Sequence, residues 1–435
     1  MRRLVFVVPL ILAGCATAVR GPVVEHAWLV RGESTALQAR ALVRGTGCPA
    51  LDVDGSAVAM RLRAPAADVP ARPVAQGVTK PARFDLEVCE ADLAPGSRQV
   101  RAGDIVLAAH AGVAERIVVI GDTGCRMKQS EGLFQSCVDG ASWPFAQVAR
   151  SAAALRPDLV IHVGDYQYRE SACPAGEQAC AGSPWGFGQD SWTADFFAPA
   201  RPLLQAAPWV FVRGNHEECA RAGQGWFRFL DAAPWTAGRS CDDPRNDAAA
   251  RHTAPYAVAL DPQTSLIVFD SSTQAGSAAE FAREFAHVDA LARTVPHVLF
   301  ASHHPVLGPS DPDMIAALQA ARGGALFGPS VDMALHGHVH LFEALGFTPG
   351  GVPTFVLGNS GSMGEGGLPP ALPEPARAIG GVRIAAFHTR AGFGFALLER
   401  RDALWRLTEY EEDGRPLLAC EVAAPTLHCA PAAGH

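Results

Sequence analysis

Short apolar runs recur through the middle of the chain. They are Arg116-Ile117-Val118-Val119-Ile120, Leu159-Val160-Ile161-His162-Val163, Trp209-Val210-Phe211-Val212, Val298-Leu299-Phe300-Ala301 and Met333-Ala334-Leu335. Each is too short for a helix and rich in aliphatic or β-branched residues, so each reads as a buried strand. Helical patterning lies between them, near Trp143 to Leu155, before Trp209, and from Glu280 to Arg293. Strands alternating with helices predict an α/β domain, in which ligands collect beyond the carboxyl ends of the strands. A polar cluster follows every one of the five runs, so the five clusters are best read as parts of one site.

The flanks carry other patterns. Residues 16–112 are rich in Val, Ala, Arg, Pro and Gly, with short alternating runs such as Arg83 to Val88 and Ile105 to Ala108, and predict a small β-rich N-terminal domain. A catalytic domain is expected over 113–410. Within it, 170–190 reads as a surface loop, and 348–380 is rich in Gly and Pro and contains Gly358-Asn359-Ser360-Gly361-Ser362. Alternating segments from Val382 to Leu418 predict hairpins that close a second sheet. A tail, 411–435, follows. No internal repeat is present.

At the N-terminus, Met1-Arg2-Arg3 precedes an apolar run from Leu4 to Leu12, which fits a signal peptide and is too short to span a bilayer comfortably. The run ends in Leu12-Ala13-Gly14-Cys15, which resembles a bacterial lipoprotein cleavage box. That resemblance implies removal of residues 1–15 as a signal, lipidation of Cys15, and an exported, membrane-anchored protein facing the periplasm or the cell exterior. No later segment is long and apolar enough for a membrane helix.

Setting Cys15 aside, the 11 cysteines leave an even number. They fall as neighbours: Cys48 and Cys89, Cys125 and Cys137, Cys173 and Cys180, Cys219 and Cys241, Cys420 and Cys429. Disulfides between neighbours are the simplest expectation, in keeping with an oxidising compartment, although spacing alone does not set connectivity. The composition, 49% hydrophobic and 18% charged, is that of a globular chain. With a net charge of −8 and no long basic cluster, nucleic acid is not expected as a partner.

The polar clusters read Gly121-Asp122-Thr123-Gly124, Gly164-Asp165-Tyr166-Gln167-Tyr168, Gly214-Asn215-His216-Glu217, Ser302-His303-His304-Pro305 and Gly337-His338-Val339-His340. A Gly-Asp turn or a His-X-His is weak evidence by itself. Together they offer carboxylates, imidazoles, an amide oxygen and a phenol: Asp122, Asp165, Tyr168, Asn215, His303, His338 and His340. Such a set can hold two metal ions side by side and clamp both oxygens of a phosphoryl displacement.

The five blocks resemble those of the calcineurin-like metallophosphoesterases, and within them the purple acid phosphatases, whose motifs read GDxG, GDxxY, GNH(D/E), VxxH and GHxH. This chain has GDTG, GDYQY, GNHE, FASH and GHVH over about residues 116–400, departing only at the apolar Phe300. Gly124 paired with Tyr168 is the distinguishing feature, because most of the superfamily has a His two residues after the first Asp. The resemblance implies a β-sandwich flanked by helices in four layers (αββα), alongside the β-rich N-terminal region. It also implies that Asp122, Asp165, Tyr168 and His340 hold Fe(III), coloured by charge transfer from tyrosinate. Asp165, Asn215, His303 and His338 would hold Fe(II), Zn(II) or Mn(II). Phenolate and carboxylates suit a hard trivalent ion, and imidazoles suit a borderline divalent one.

The implied activity is hydrolysis of phosphate monoesters on a small molecule by metal-bound hydroxide, in the manner of an acid phosphatase. His216 and His304 are the candidates to contact phosphate or protonate the leaving oxygen, and Glu217 is the candidate to orient His216. Arg213, Arg126 and Tyr166 are candidates to touch substrate, although residues at strand ends more often face solvent. His162, His252, His297, His336 and His388 read as structural or exposed. Two other readings stand beside this one: a phosphodiesterase acting on nucleotides or lipid head groups, and a non-catalytic surface lipoprotein. The second would be marked by a degenerate site, and all seven ligand positions are filled. Substrate, second metal and oligomeric state are not legible in the sequence.

Overall fold

The computed structural model describes residues 21–432 except 74–78, 111, 274–277, 307–326, 349–350, 365–377, 380–381 and 402–403. Residues 1–15, expected to be a signal ending at Cys15, lie outside the described residues.

Two sheets carry the fold. The centre of the first is parallel: Arg116–Ile120 pairs with Leu159–His162, which pairs with Trp209–Phe211. The centre of the second is parallel too, running Thr264–Phe269, His297–Ser302, Val331–His336, Thr354–Leu357. Parallel strands need crossovers, and the helices Phe145–Ala154, Arg201–Ala206 and Ala278–Ala292 supply part of them.

Alternation along each strand builds the layers. Ile117, Val119, Leu159 and Ile161 meet Leu299, Ala301, Met333 and Leu335 in a core between the sheets. Their neighbours Val118, Ile120 and Val160 turn the other way, onto Phe145, Val148, Leu203 and Leu204 of the helices. On the far face, Val298 and Phe300 pack against Phe281, Phe285 and Val288 of the long helix. Strands buried on both faces read as continuous apolar runs, which is why the sequence showed no alternation there. The result is helix, sheet, sheet, helix, the expected α/β sandwich.

The N-terminal region is β-rich, and part of it shares the first sheet. Val23–Arg31 lies parallel to Trp209–Phe211 through the pairing of Val30 with Trp209, and Leu37–Arg44 and Glu87–Asp92 follow antiparallel. One expectation is corrected. Of the segments after Val382, only Val382–Arg390 joins the second sheet. Gly394–Arg401 pairs with Arg116–Ile120, and the hairpins beyond it extend the first sheet to Thr426–Pro431. The alternating pattern is the same whichever sheet receives the strand.

All five neighbouring cysteine pairs are bonded: Cys48–Cys89, Cys125–Cys137, Cys173–Cys180, Cys219–Cys241 and Cys420–Cys429. No helix among the described residues is long and apolar enough to cross a membrane.

Candidate metal centre

The carboxyl ends of five strands, three from the first sheet and two from the second, deliver the five blocks to one place. Asp122, Asp165 and His338 adopt positive φ values of 54°, 60° and 73°. Non-glycine residues rarely do so, and here the strain falls on three of the candidate ligands. Asp122 donates its amide to Gly164 O, and Thr123 donates to Asp165 O, so the first two turns are locked together. Gly124 is needed at this join: a Cβ there would lie 2.8 Å from the Tyr168 amide and 2.9 Å from Tyr166 O.

Tyr168 Oη is the centre of one half of the site. It lies 2.8 Å from Asp122 Oδ1, 2.8 Å from Asp165 Oδ2 and 2.8 Å from His340 Nε2. His340 gives its Nδ1 proton to Met363 O at 2.7 Å, which leaves the Nε2 lone pair facing Tyr168. A tyrosine hydroxyl has one proton, yet three acceptors converge on it in a buried pocket. Burial, then Asp122 and Asp165, push the Tyr168 hydroxyl well above its ordinary value. A cation among these atoms would satisfy the carboxylates and let the phenol ionise.

The other half is built around Asn215 Oδ1, 2.9 Å from His303 Nε2 and 3.1 Å from His338 Nδ1. His303 Nδ1 is 2.8 Å from Val163 O and donates to it, so Nε2 faces the amide oxygen and, at 3.2 Å, Asp165 Oδ2. Burial opposes a charged His303, but the Asp165 carboxylate outweighs it and raises the imidazole to about 9. Asp165, His303 and His338 each offer one ligand atom, all within 4.8 Å of one another. Asp165 touches both halves. Burial works against its charged form, and His303 and His216 beside it still hold the carboxyl well below the usual range. The donor set therefore fits two cations that share Asp165.

The supporting residues were less legible. Glu217 accepts the amides of Asp165 at 3.1 Å, Tyr166 at 2.9 Å and Gly214 at 3.1 Å. Burial and the nearby Asp165 raise its carboxyl to about 8. It shapes the Asp165 turn, and the expected contact with His216 is made by another acid. His216 Nδ1 lies 2.8 Å from Glu170 Oε1, and the same oxygen accepts from Arg221 Nε at 2.8 Å. The His216 ring rests on Tyr168, centroids 3.8 Å apart, with Nε2 3.7 Å from Asp165 Oδ2. Glu170 is two residues after Tyr168, an acid at the end of the second block, and that adjacency was the available signal.

Asp195 also went unread. Its carboxylate accepts from Cys125 N at 3.1 Å and Tyr168 N at 2.8 Å, tying the first block to the second. It lies in an irregular helical turn, Thr193–Phe197, that no motif marks. His304 is buried against His338, ring centroids 4.1 Å apart, with its amide donated to Ser271 Oγ at 2.9 Å. Burial, then His338 and His303, hold it well below the ordinary histidine value.

Two candidates for substrate contact are corrected. Tyr166 is fully buried and donates its hydroxyl to Val212 O at 2.8 Å. Arg213 is buried and bound to Glu217 O at 3.0 Å and Ala250 O at 2.8 Å. Both hold the turns from beneath. Arg126 does reach the site, with Nη1 3.4 Å from His340 Nδ1. Of the other histidines, His162 is stacked on Tyr166 and His336 is hydrogen-bonded to Ser302, both fully buried.

A family model described as calcineurin-like phosphoesterase matches residues 115–342. No curated protein matches the chain. Among solved structures, the purple acid phosphatase PPD1 from yellow lupin (Lupinus luteus) seeds is similar with a TM-score of 0.55 at 14% identity, covering 94% of this chain and 74% of that one. A structure described as PhoD is similar with a TM-score of 0.57 at 12% identity, covering 94% and 92%. At these identities the likeness is one of fold.

Proposed function

The chain belongs to the calcineurin-like phosphoesterase family of phosphoric ester hydrolases, and on that premise we propose that it cleaves phosphate monoesters at a tyrosine-bearing dimetal centre. The family implies the dimetal centre. In this reading Asp122, Asp165, Tyr168 and His340 hold a ferric ion, and Asp165, Asn215, His303 and His338 hold a divalent one, iron, zinc or manganese. The observation that carries the reading is Tyr168 Oη, placed 2.8 Å from Asp122, Asp165 and His340 at once. No single proton satisfies that arrangement, and a hard cation does.

The bound metals supply a nucleophile from water near neutral pH and neutralise charge on the phosphoryl oxygens. The protein's own residues do the rest. Asp122, Asp165 and His338 are pre-set by strained turns, so little reorganisation is needed when substrate binds. In this reading His216, whose Nε2 lies 3.7 Å from Asp165 Oδ2, holds a phosphate oxygen or gives a proton to the leaving oxygen. Glu170 orients it. His304, packed on His338, is the second candidate for that contact.

Hydrolysis of 4-nitrophenyl phosphate against bis(4-nitrophenyl) phosphate, from acid to neutral pH on metal-loaded protein, tests the substrate class. Faster monoester cleavage with an acidic optimum is expected. A preference for the diester would make the protein a phosphodiesterase.

We also propose export and anchoring through Cys15. The five disulfides support an oxidising compartment. Mass spectrometry of the mature N-terminus should find an acylated Cys15, and an unmodified Cys15 behind an intact leader would refute the anchor.

A further inference from the structure

A cavity of about 230 Å³ opens beside His340, lined by His340, Asn359, Gly364, Ala391, Gly392 and Phe393. The metal chemistry uses none of these except His340. No acidic or basic side chain other than the imidazole lines it, and its largest apolar wall is the half-buried ring of Phe393. This is the composition of a small-molecule pocket: mostly apolar, with few polar groups.

The turn that carries Phe393 is held rigid from both sides. Asn359 Nδ2 donates to Gly392 O at 2.8 Å, and Gly394 N donates to Asn359 O at 2.9 Å. Arg390 Nη2 donates to Phe393 O at 3.0 Å, and Arg390 is itself bound to Glu409 at 2.6 Å. A Cβ on Gly392 would displace the Arg390 guanidinium from its place beside the turn. Ser360 Oγ donates to Gly394 O at 3.0 Å, and Ser360 N donates to Gly121 O at 3.1 Å, which links the turn to the strand end bearing Asp122. The Gly358–Ser362 stretch, conspicuous in the sequence but outside the ligand set, is thus a brace between the metal centre and Phe393. Among the described residues no aromatic ring stacks on Phe393. A half-exposed aromatic on a rigid turn offers contact area at little entropic cost.

We propose that this cavity receives the leaving group of the phosphate ester, and that Phe393 selects leaving groups carrying an aromatic ring. The inference rests on the monoesterase reading for the reaction, and adds the substrate class. His340, a candidate metal ligand, is also part of the cavity lining, so the cavity borders the site at which phosphate would bind.

The test uses metal-loaded full-length protein with benzylphosphonate and methylphosphonate, which bind without being cleaved, measured by calorimetry. Wild type should bind the benzyl compound more tightly. Phe393→Ala should lower the benzyl-to-methyl affinity ratio about tenfold, the scale of an aromatic stacking contact with its buried area. Phe393→Leu should give an intermediate ratio and Phe393→Tyr should retain most of it, so one misfolded variant does not remove the test. Equal affinity for the two phosphonates in wild type, a ratio unmoved by the Ala and Leu variants, or binding of neither ligand overturns the subsite. Failure of the monoesterase reading looks different: neither benzyl phosphate nor methyl phosphate is hydrolysed, while the phosphonate ratio and its dependence on Phe393 persist.

Discussion

Glu170 Oε1 lies 2.8 Å from His216 Nδ1, deep beneath the metal centre, with Arg221 bound to the same oxygen. The contact sets which nitrogen of His216 carries its proton and aims Nε2 at the site. Burial disfavours a charged Glu170, yet Arg221 and His216 hold its carboxyl down at about 2. It is therefore a carboxylate at any working pH.

Removing that carboxylate should cost activity while the fold remains. Glu170→Gln keeps an acceptor for Arg221 but loses the charge that orients His216. The expected loss in kcat is about 10- to 100-fold, the usual effect of an outer partner on an active imidazole, with metal content unchanged. Arg221→Gln should do the reverse, lowering the melting temperature more than kcat. Steady-state kinetics beside thermal denaturation separates the two, and equal effects from both would assign Glu170 to folding only.

Arg63 should matter for stability. From the N-terminal region it donates to Arg228 O at 2.9 Å, Phe227 O at 3.0 Å, Asp231 O at 2.8 Å and Ala233 O at 2.9 Å, and it pairs with Glu90 at 2.8 Å. These carbonyls end the helix Gly223–Phe229 and the turn after it, where a cation is favoured. Arg63→Met strips several buried acceptors at once. Urea unfolding should show a loss of about 3–5 kcal/mol; a loss under 1 kcal/mol would show that the carbonyls find other donors.

His26 supplies a pH dependence away from the metals. Burial and the nearby Arg201 lower its imidazole from 6.5 to about 4, with Glu25 opposing. Between those values the unfolded chain binds more protons than the folded one, so stability rises with pH. The contribution is complete above pH 6.5 and is lost progressively as the pH falls to about 4. His26→Phe should flatten that part of the stability profile measured by denaturant titration, and an unchanged slope would count against the burial argument.

Much of the site was legible because its candidate ligands sit in local blocks at strand ends, and a buried parallel strand announces itself as an apolar run. Asp122, Asp165, Asn215, His303, His338 and His340 all follow such runs. What supports them was harder to see. Asp195 reaches the first two blocks from an irregular helix, Thr193–Phe197, and contacts that distant leave no local pattern. Tyr166 and Arg213 were expected near substrate or solvent, yet turns this tight need buried donors beneath them, and those two residues serve. The strands after Val382 were expected to close the second sheet and most of them extend the first, because pairing is non-local and alternation is common to both. The sharing of a sheet by Val30 and Trp209 was hidden for the same reason.

A visible spectrum tests whether Tyr168 is a metal ligand. Protein loaded with Fe(III) should absorb in the visible through tyrosinate-to-iron charge transfer, and Tyr168→Phe should remove the band while iron stays bound. A wild-type protein that is fully loaded with iron, active and colourless, or a band that survives in Tyr168→Phe, would show that Tyr168 does not bind the iron.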